Sequence, residues 1–133
     1  MTSSVRFAVP ALLGWTAFVW LSRIRNVVGN DDLSPSGEAL RLVAAATFLA
    51  LAGLGLWAWM RRGVEPARAT LALWLLCGWT IGYWAIRGIG IIIDDHSLGF
   101  TVVHTVLMTI SIGLAIWAWP RDRAVATAPD HAV

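Results

Sequence analysis

Arg23, Arg87 and His104 are charged or titratable side chains set inside otherwise apolar stretches of this chain. A guanidinium offers forked donors that fit a phosphate or carboxylate, and an imidazole exchanges a proton near neutral pH. Asp94 and Asp95 fall between the Arg87 stretch and the His104 stretch, and Trp20, Tyr83 and Trp84 sit one turn from the two arginines. Together these residues form a candidate ligand-binding set for an anion or a lipid phosphate. No nucleophile, metal-ligand cluster or carboxylate dyad accompanies His104 at a recognisable spacing, so the chain reads as non-enzymatic, with no catalytic residue, metal or cofactor. His96 and His104 share one stretch, which disfavours two-histidine haem ligation from different helices. Cys77 is the single cysteine and lies among apolar residues, which excludes an intrachain disulfide or a Cys pair.

Seven residues is close to two helical turns, so Thr16, Arg23 and Asn30 share one face, as do Thr80, Arg87 and Asp94. A matching line runs through Ser97, Thr101, His104, Met108 and Ser111. Three readings of the arginines stay open. They pair with acids to hold the bundle in register, Arg87 with Asp94 or Arg23 with Asp95; they snorkel to the interface; or they bind or conduct an anion. Arg25 and Asn26 would stand above such a site with the two aspartates. Gly78 and Gly82 permit close helix approach, on a face that angular position sets away from Arg87.

These side chains need elements that carry them, and composition names the solvent. The chain has 133 residues, 58% of them hydrophobic, and a mean hydropathy of +0.69. Four apolar segments approach the roughly 20 residues that cross a bilayer, at 7–28, 39–60, 69–93 and 98–119. The connections carry turn signals: Asn30 to Gly37, Arg61 to Pro66 and the short Asp94 to Ser97. The segment after Pro120, residues 121–133, has no apolar period and is expected to be a disordered cytoplasmic tail. The first apolar segment has no small-residue cleavage site before Trp20 and Arg23, so it reads as a retained span.

Arg6, Arg61, Arg62, Arg68, Arg121 and Arg123 fall on one side of the predicted spans, and Arg41 with Asp31, Asp32, Glu38, Asp94 and Asp95 on the other, while Arg23, Arg25 and Arg87 sit inside or near span ends. This bias predicts that both termini are cytoplasmic, with Trp57, Trp59, Trp117 and Trp119 as an aromatic belt at the inner interface. All ten basic residues are Arg, which looks like a GC-rich bacterial coding bias and places the chain in a bacterial plasma membrane. A pI near 9.5 is explained by the same topological arginines, and no basic run with interleaved aromatics suggests nucleic acid.

The chain also resembles itself. Gly14-Trp15-Thr16, Trp20 and Arg23 fall on Gly78-Trp79-Thr80, Trp84 and Arg87 without a gap. Gly53, Trp57, Trp59 and Arg61 fall on Gly113, Trp117, Trp119 and Arg121. The expected fold is therefore all-α: a four-helix transmembrane bundle of two tandem, parallel-oriented hairpin repeats, 1–62 and 63–120, about a pseudo-twofold axis along the membrane normal. The copies differ where Ala44 stands opposite His104.

The segments Trp20-Leu-Ser-Arg-Ile-Arg-Asn-Val and Asp95-His-Ser-Leu-Gly-Phe-Thr-Val-Val-His104 resemble small four-span membrane proteins of actinobacteria. That resemblance implies the architecture and no activity. Small multidrug-resistance transporters share the length and span number but need a membrane-embedded Glu in the first span, and quinone-coupled thiol oxidoreductases need a Cys pair; neither is present. The expected role is an accessory or scaffold subunit packing against other membrane subunits or further copies of itself. The alternative is binding or transport of an anion or lipid phosphate.

Overall fold

The computed structural model describes residues 5–32 and 34–120, with side chains from Phe7 onward. The tail 121–133, with Arg121 and Arg123, and the side chain of Arg6 lie outside the described residues. Four helices run in chain order: α1 (Val5–Val28), α2 (Pro35–Arg61), α3 (Pro66–Ile93) and α4 (Leu98–Trp117). All four are long and apolar enough to cross a membrane.

Their ends depart from the apolar segments for reasons of capping. Helix α2 starts at Pro35, inside the stretch read as a turn, because the Ser34 hydroxyl accepts from the Gly37 N–H at 3.2 Å and proline needs no donor partner in the first turn. Proline likewise opens α3 at Pro66, three residues ahead of the apolar run. The Ser97 hydroxyl caps α4 by accepting from the Phe100 N–H at 3.3 Å. At the other end α4 stops at Trp117, short of Trp119, since Pro120 disfavours helical backbone at the residue before it. Pro10 lies inside α1 without ending it.

Each helix packs on the next in sequence and α1 closes on α4, so the four stand at the corners of a square with α1 diagonal to α3. The α1–α2 and α3–α4 connections share one side of the bundle, here the acidic side, with Asp31, Asp32, Asp94 and Asp95 exposed. The α2–α3 connection lies on the opposite, basic side, where Glu65 pairs with Arg68 at 2.9 Å and Arg61 at 3.9 Å. There the Arg62 guanidinium also lies 3.8 Å from the Trp59 ring centroid and donates to the Trp59 carbonyl.

Towards the basic side the interior is built of small and medium residues, Ala8, Val9, Leu12, Leu76, Cys77, Ala115 and Ala118. Towards the acidic side it is aromatic, with Trp20, Phe48 and Trp84 buried. Large apolar side chains such as Phe18, Ile86 and Val102 point outward, as expected where lipid rather than water is the solvent. Lipid gives apolar helix faces little drive to associate, so close packing and interhelical polar contacts must hold such a bundle.

Candidate functional site

Arg23, Arg87 and His104 stand at one level. Counting residues to the ends of α1, α3 and α4 puts each roughly 8 to 9 Å below the acidic side. Burial of a polar group at this depth is costly unless it is bonded.

His104 meets that requirement through two bonds that also fix its proton. Its Nδ1 lies 2.8 Å from the Phe100 carbonyl oxygen. A carbonyl can only accept, so Nδ1 carries the hydrogen. Nε2 is then a free acceptor, and the Arg23 guanidinium, which can only donate, approaches it through Nη1 at 3.4 Å and Nη2 at 3.5 Å. The Phe100 ring stacks on the imidazole at 3.8 Å and 26°. A second rung joins the same two helices nearer the basic side, where Trp15 Nε1 donates to the Ser111 hydroxyl at 2.9 Å. Arg23–His104 and Trp15–Ser111 thus form a polar seam between α1 and α4, with rungs about 11 Å apart along the helices.

Beneath Arg23 is an aromatic stack. The guanidinium lies 5.7 Å from the Trp20 ring centroid, and Trp20 stacks on Phe48 at 4.1 Å and 14°. Tyr83 stands edge-on to both, at 5.3 Å from Trp20 and 5.1 Å from Phe48, and meets Trp84 edge-on at 5.8 Å. Rings from α1, α2 and α3 therefore meet under the arginine, in arrangements that aromatic quadrupoles favour. Phe48 and Phe100 were not among the sequence candidates, although both contact them.

The aspartates are not part of this cluster. Asp94 caps the end of α3 with an extended backbone (φ −86°, ψ 144°), and Asp94 and Asp95 are exposed. Among the described residues no ion pair joins Arg87 to Asp94 or Arg23 to Asp95; the ion pairs found both involve Glu65. The seven-residue spacing aligns Arg87 with Asp94 only while the helix continues, and it ends at Ile93. Asn30 also leaves its line, since α1 stops at Val28 and the Asn30 side chain accepts from the Asp32 N–H at 3.1 Å. Arg25 and Asn26 are exposed on α1.

Arg87 is built differently from Arg23. Its Nε is buried without a hydrogen-bond partner, and no hydrogen bond or ion pair involves the side chain among the described residues. It lines a groove of about 470 Å³ with Gly78, Trp79, Gly82, Tyr83, Ile86 and Gly90. The Gly78–Gly82 face, expected to lie away from Arg87, is continuous with it. The glycines lack the side chains that would otherwise divide the surface of α3. Among the described residues no three His, Cys, Asp or Glu side chains gather at a metal-sized site. Comparison with protein families, curated proteins and solved structures finds no match to this chain.

Proposed function

We propose that the chain is a non-enzymatic accessory or scaffold subunit of a bacterial plasma membrane, with both termini cytoplasmic, that packs against larger membrane proteins. The observation that carries this reading is the closed seam. Arg23 is committed to His104 and His104 to the Phe100 carbonyl, so the most conspicuous polar groups of the interior serve the bundle's own register. Apolar side chains such as Leu71, Leu75, Val103 and Val106 remain on the outside for neighbouring helices. The test is isolation at native expression in mild detergent. A fixed stoichiometric association with a larger membrane protein is expected; recovery only as a free homogeneous species counts against the proposal.

We also propose that two tandem hairpins, 1–62 and 63–120, arose by duplication and face the same way. Matching environments support this: Thr16 and Thr80 are 3% and 2% exposed, and Trp20 and Trp84 are 2% and 1% exposed. Ala58 and Ala118 are both buried, while Gly53 and Gly113 both face open space.

A second reading is binding of an anion or lipid phosphate, and one observation favours it. Arg87 is a cation inside a span with no acidic partner among the described residues. Binding would then fail in Arg87→Ala and survive in part in Arg87→Lys, because lysine keeps the charge but not the fork. Wild-type binding in both folded variants would remove this reading.

A further inference from the structure

Resting on that second reading, we propose that the groove of α3 is a phospholipid site, with the lipid phosphate on Arg87 at the mouth marked by Gly90 and an acyl chain along the track below it to Gly78. The placement matches a lipid in depth. Helix α3 has 28 residues, about 42 Å, close to the thickness of a bilayer with its headgroup layers. Arg87 lies about 11 Å from the helix midpoint, just inside the roughly 15 Å half-thickness of the hydrocarbon. Gly90 is at that boundary and Gly78 is about 2 Å from the midpoint. The groove therefore descends from the headgroup boundary to the centre of the membrane along one helix, the course of an acyl chain in one leaflet.

The chemistry changes along the groove as it does along a lipid. Its deep part is made by Gly78, Trp79 and Gly82, and a Cβ added at Gly78, Gly82 or Gly90 would meet nothing within 4 Å. Near its upper end, one turn below Gly90, is Arg87, with its Nε buried and unpartnered. Charge complementarity selects the headgroup. No ion pair with an acid offsets Arg87 among the described residues, and unlike Arg23 it has no neutral acceptor either. A phosphate supplies the missing anion and accepts from a guanidinium as a forked pair. The groove's volume of about 470 Å³ is within the range of small-molecule sites. A partner helix could fill the glycine track, but it would also have to bring a carboxylate to the depth of Arg87.

The experiment uses the full chain in detergent, titrated with phosphatidylglycerol, with bound lipid counted by native mass spectrometry. One lipid per chain is expected on the wild type. Retention should fall about tenfold in Arg87→Ala and less in Arg87→Lys, in line with the loss of a charge-assisted hydrogen bond. Gly82→Leu, which fills open space, should displace the lipid while circular dichroism stays unchanged. Arg25→Ala, at an exposed arginine outside the groove, should bind as wild type, and millimolar inorganic phosphate should not compete. Undiminished phosphatidylglycerol retention in either Arg87→Ala or Gly82→Leu overturns the proposal. Arg87-dependent binding of inorganic phosphate without lipid overturns the lipid assignment and leaves the anion reading standing; binding of neither removes both. A dimer that Gly82→Leu dissociates, with no lipid bound, assigns the groove to a second copy and likewise overturns the proposal.

Discussion

The Arg23 guanidinium faces the unprotonated Nε2 of His104 with both of its terminal nitrogens, joining α1 to α4. The direction of donation is set from outside the pair, by the Phe100 carbonyl on Nδ1. Arginine is held as a donor and histidine as a neutral acceptor, so the contact needs no counter-ion to be satisfied.

A double-mutant cycle on Arg23→Ala and His104→Ala should therefore show coupling. Interhelical hydrogen bonds in membrane bundles contribute on the order of 0.6 to 1.7 kcal/mol, and reversible unfolding in detergent resolves that range. Strictly additive losses would show that the two side chains are adjacent without being bonded.

The Trp15–Ser111 rung should behave as a weaker, neutral counterpart. Ser111→Ala and Trp15→Phe are each expected to cost about 0.6 kcal/mol, and the second substitution should add little once the first is present. Independent effects in the same unfolding assay would count against the bond.

Helix α3 carries glycines of two kinds. A Cβ at Gly88 would lie 2.5 Å from the Met108 sulfur, whereas Gly82 faces open space. Gly88→Leu is expected to destabilise by about 1 to 3 kcal/mol through overpacking, with partial rescue by Met108→Ala. Gly82→Leu should leave thermal stability unchanged or raised, since leucine is the better helix former. Equal destabilisation by both would mean that Gly82 is packed against protein and does not face open space.

The topology is checked by labelling. Cys77 is buried and should resist a membrane-impermeant maleimide in the native protein. Cysteines placed at Ser36 and Ser97 should be labelled from one side of the membrane, and a cysteine at Val64 only from the other. Labelling of Ser36→Cys and Ser97→Cys from opposite sides would break the four-span arrangement.

What the residues disclosed in advance, and what they concealed, follows from the range of each signal. Apolar length is a property of a whole segment, and it located all four helices. Helix starts depend on two or three residues, Ser34-Pro35 and Glu65-Pro66, and a hydropathy reading that trims polar flanks loses them. Counting at helical spacing singled out Arg23, Arg87 and His104, and the structure brings Arg23 and His104 together while Arg87 stays apart on the α3 groove. The same counting attached Arg87 to Asp94 because it assumed a helix past Ile93. Phe48 gave no periodic signal, being the one aromatic residue in the middle of its span, so its stack on Trp20 was not legible. The groove was missed because angular arithmetic treats every position as occupied, and at Gly78, Gly82 and Gly90 there is no side chain to divide the face.

The seam between α1 and α4 also sets a schedule. A chain made from its N-terminus delivers α1 to the membrane before α4 exists, so Arg23 enters without His104 to accept from it. During that interval the guanidinium must stay near the interface, about five residues from the end of its helix, where water can serve it. Arrival of α4 lets Arg23 exchange that water for the imidazole, and the later helix latches the earlier one. The ring of helices is thus a clasp that closes only once α4 has been made, and a chain that stops before His104 leaves the α1 arginine without its acceptor.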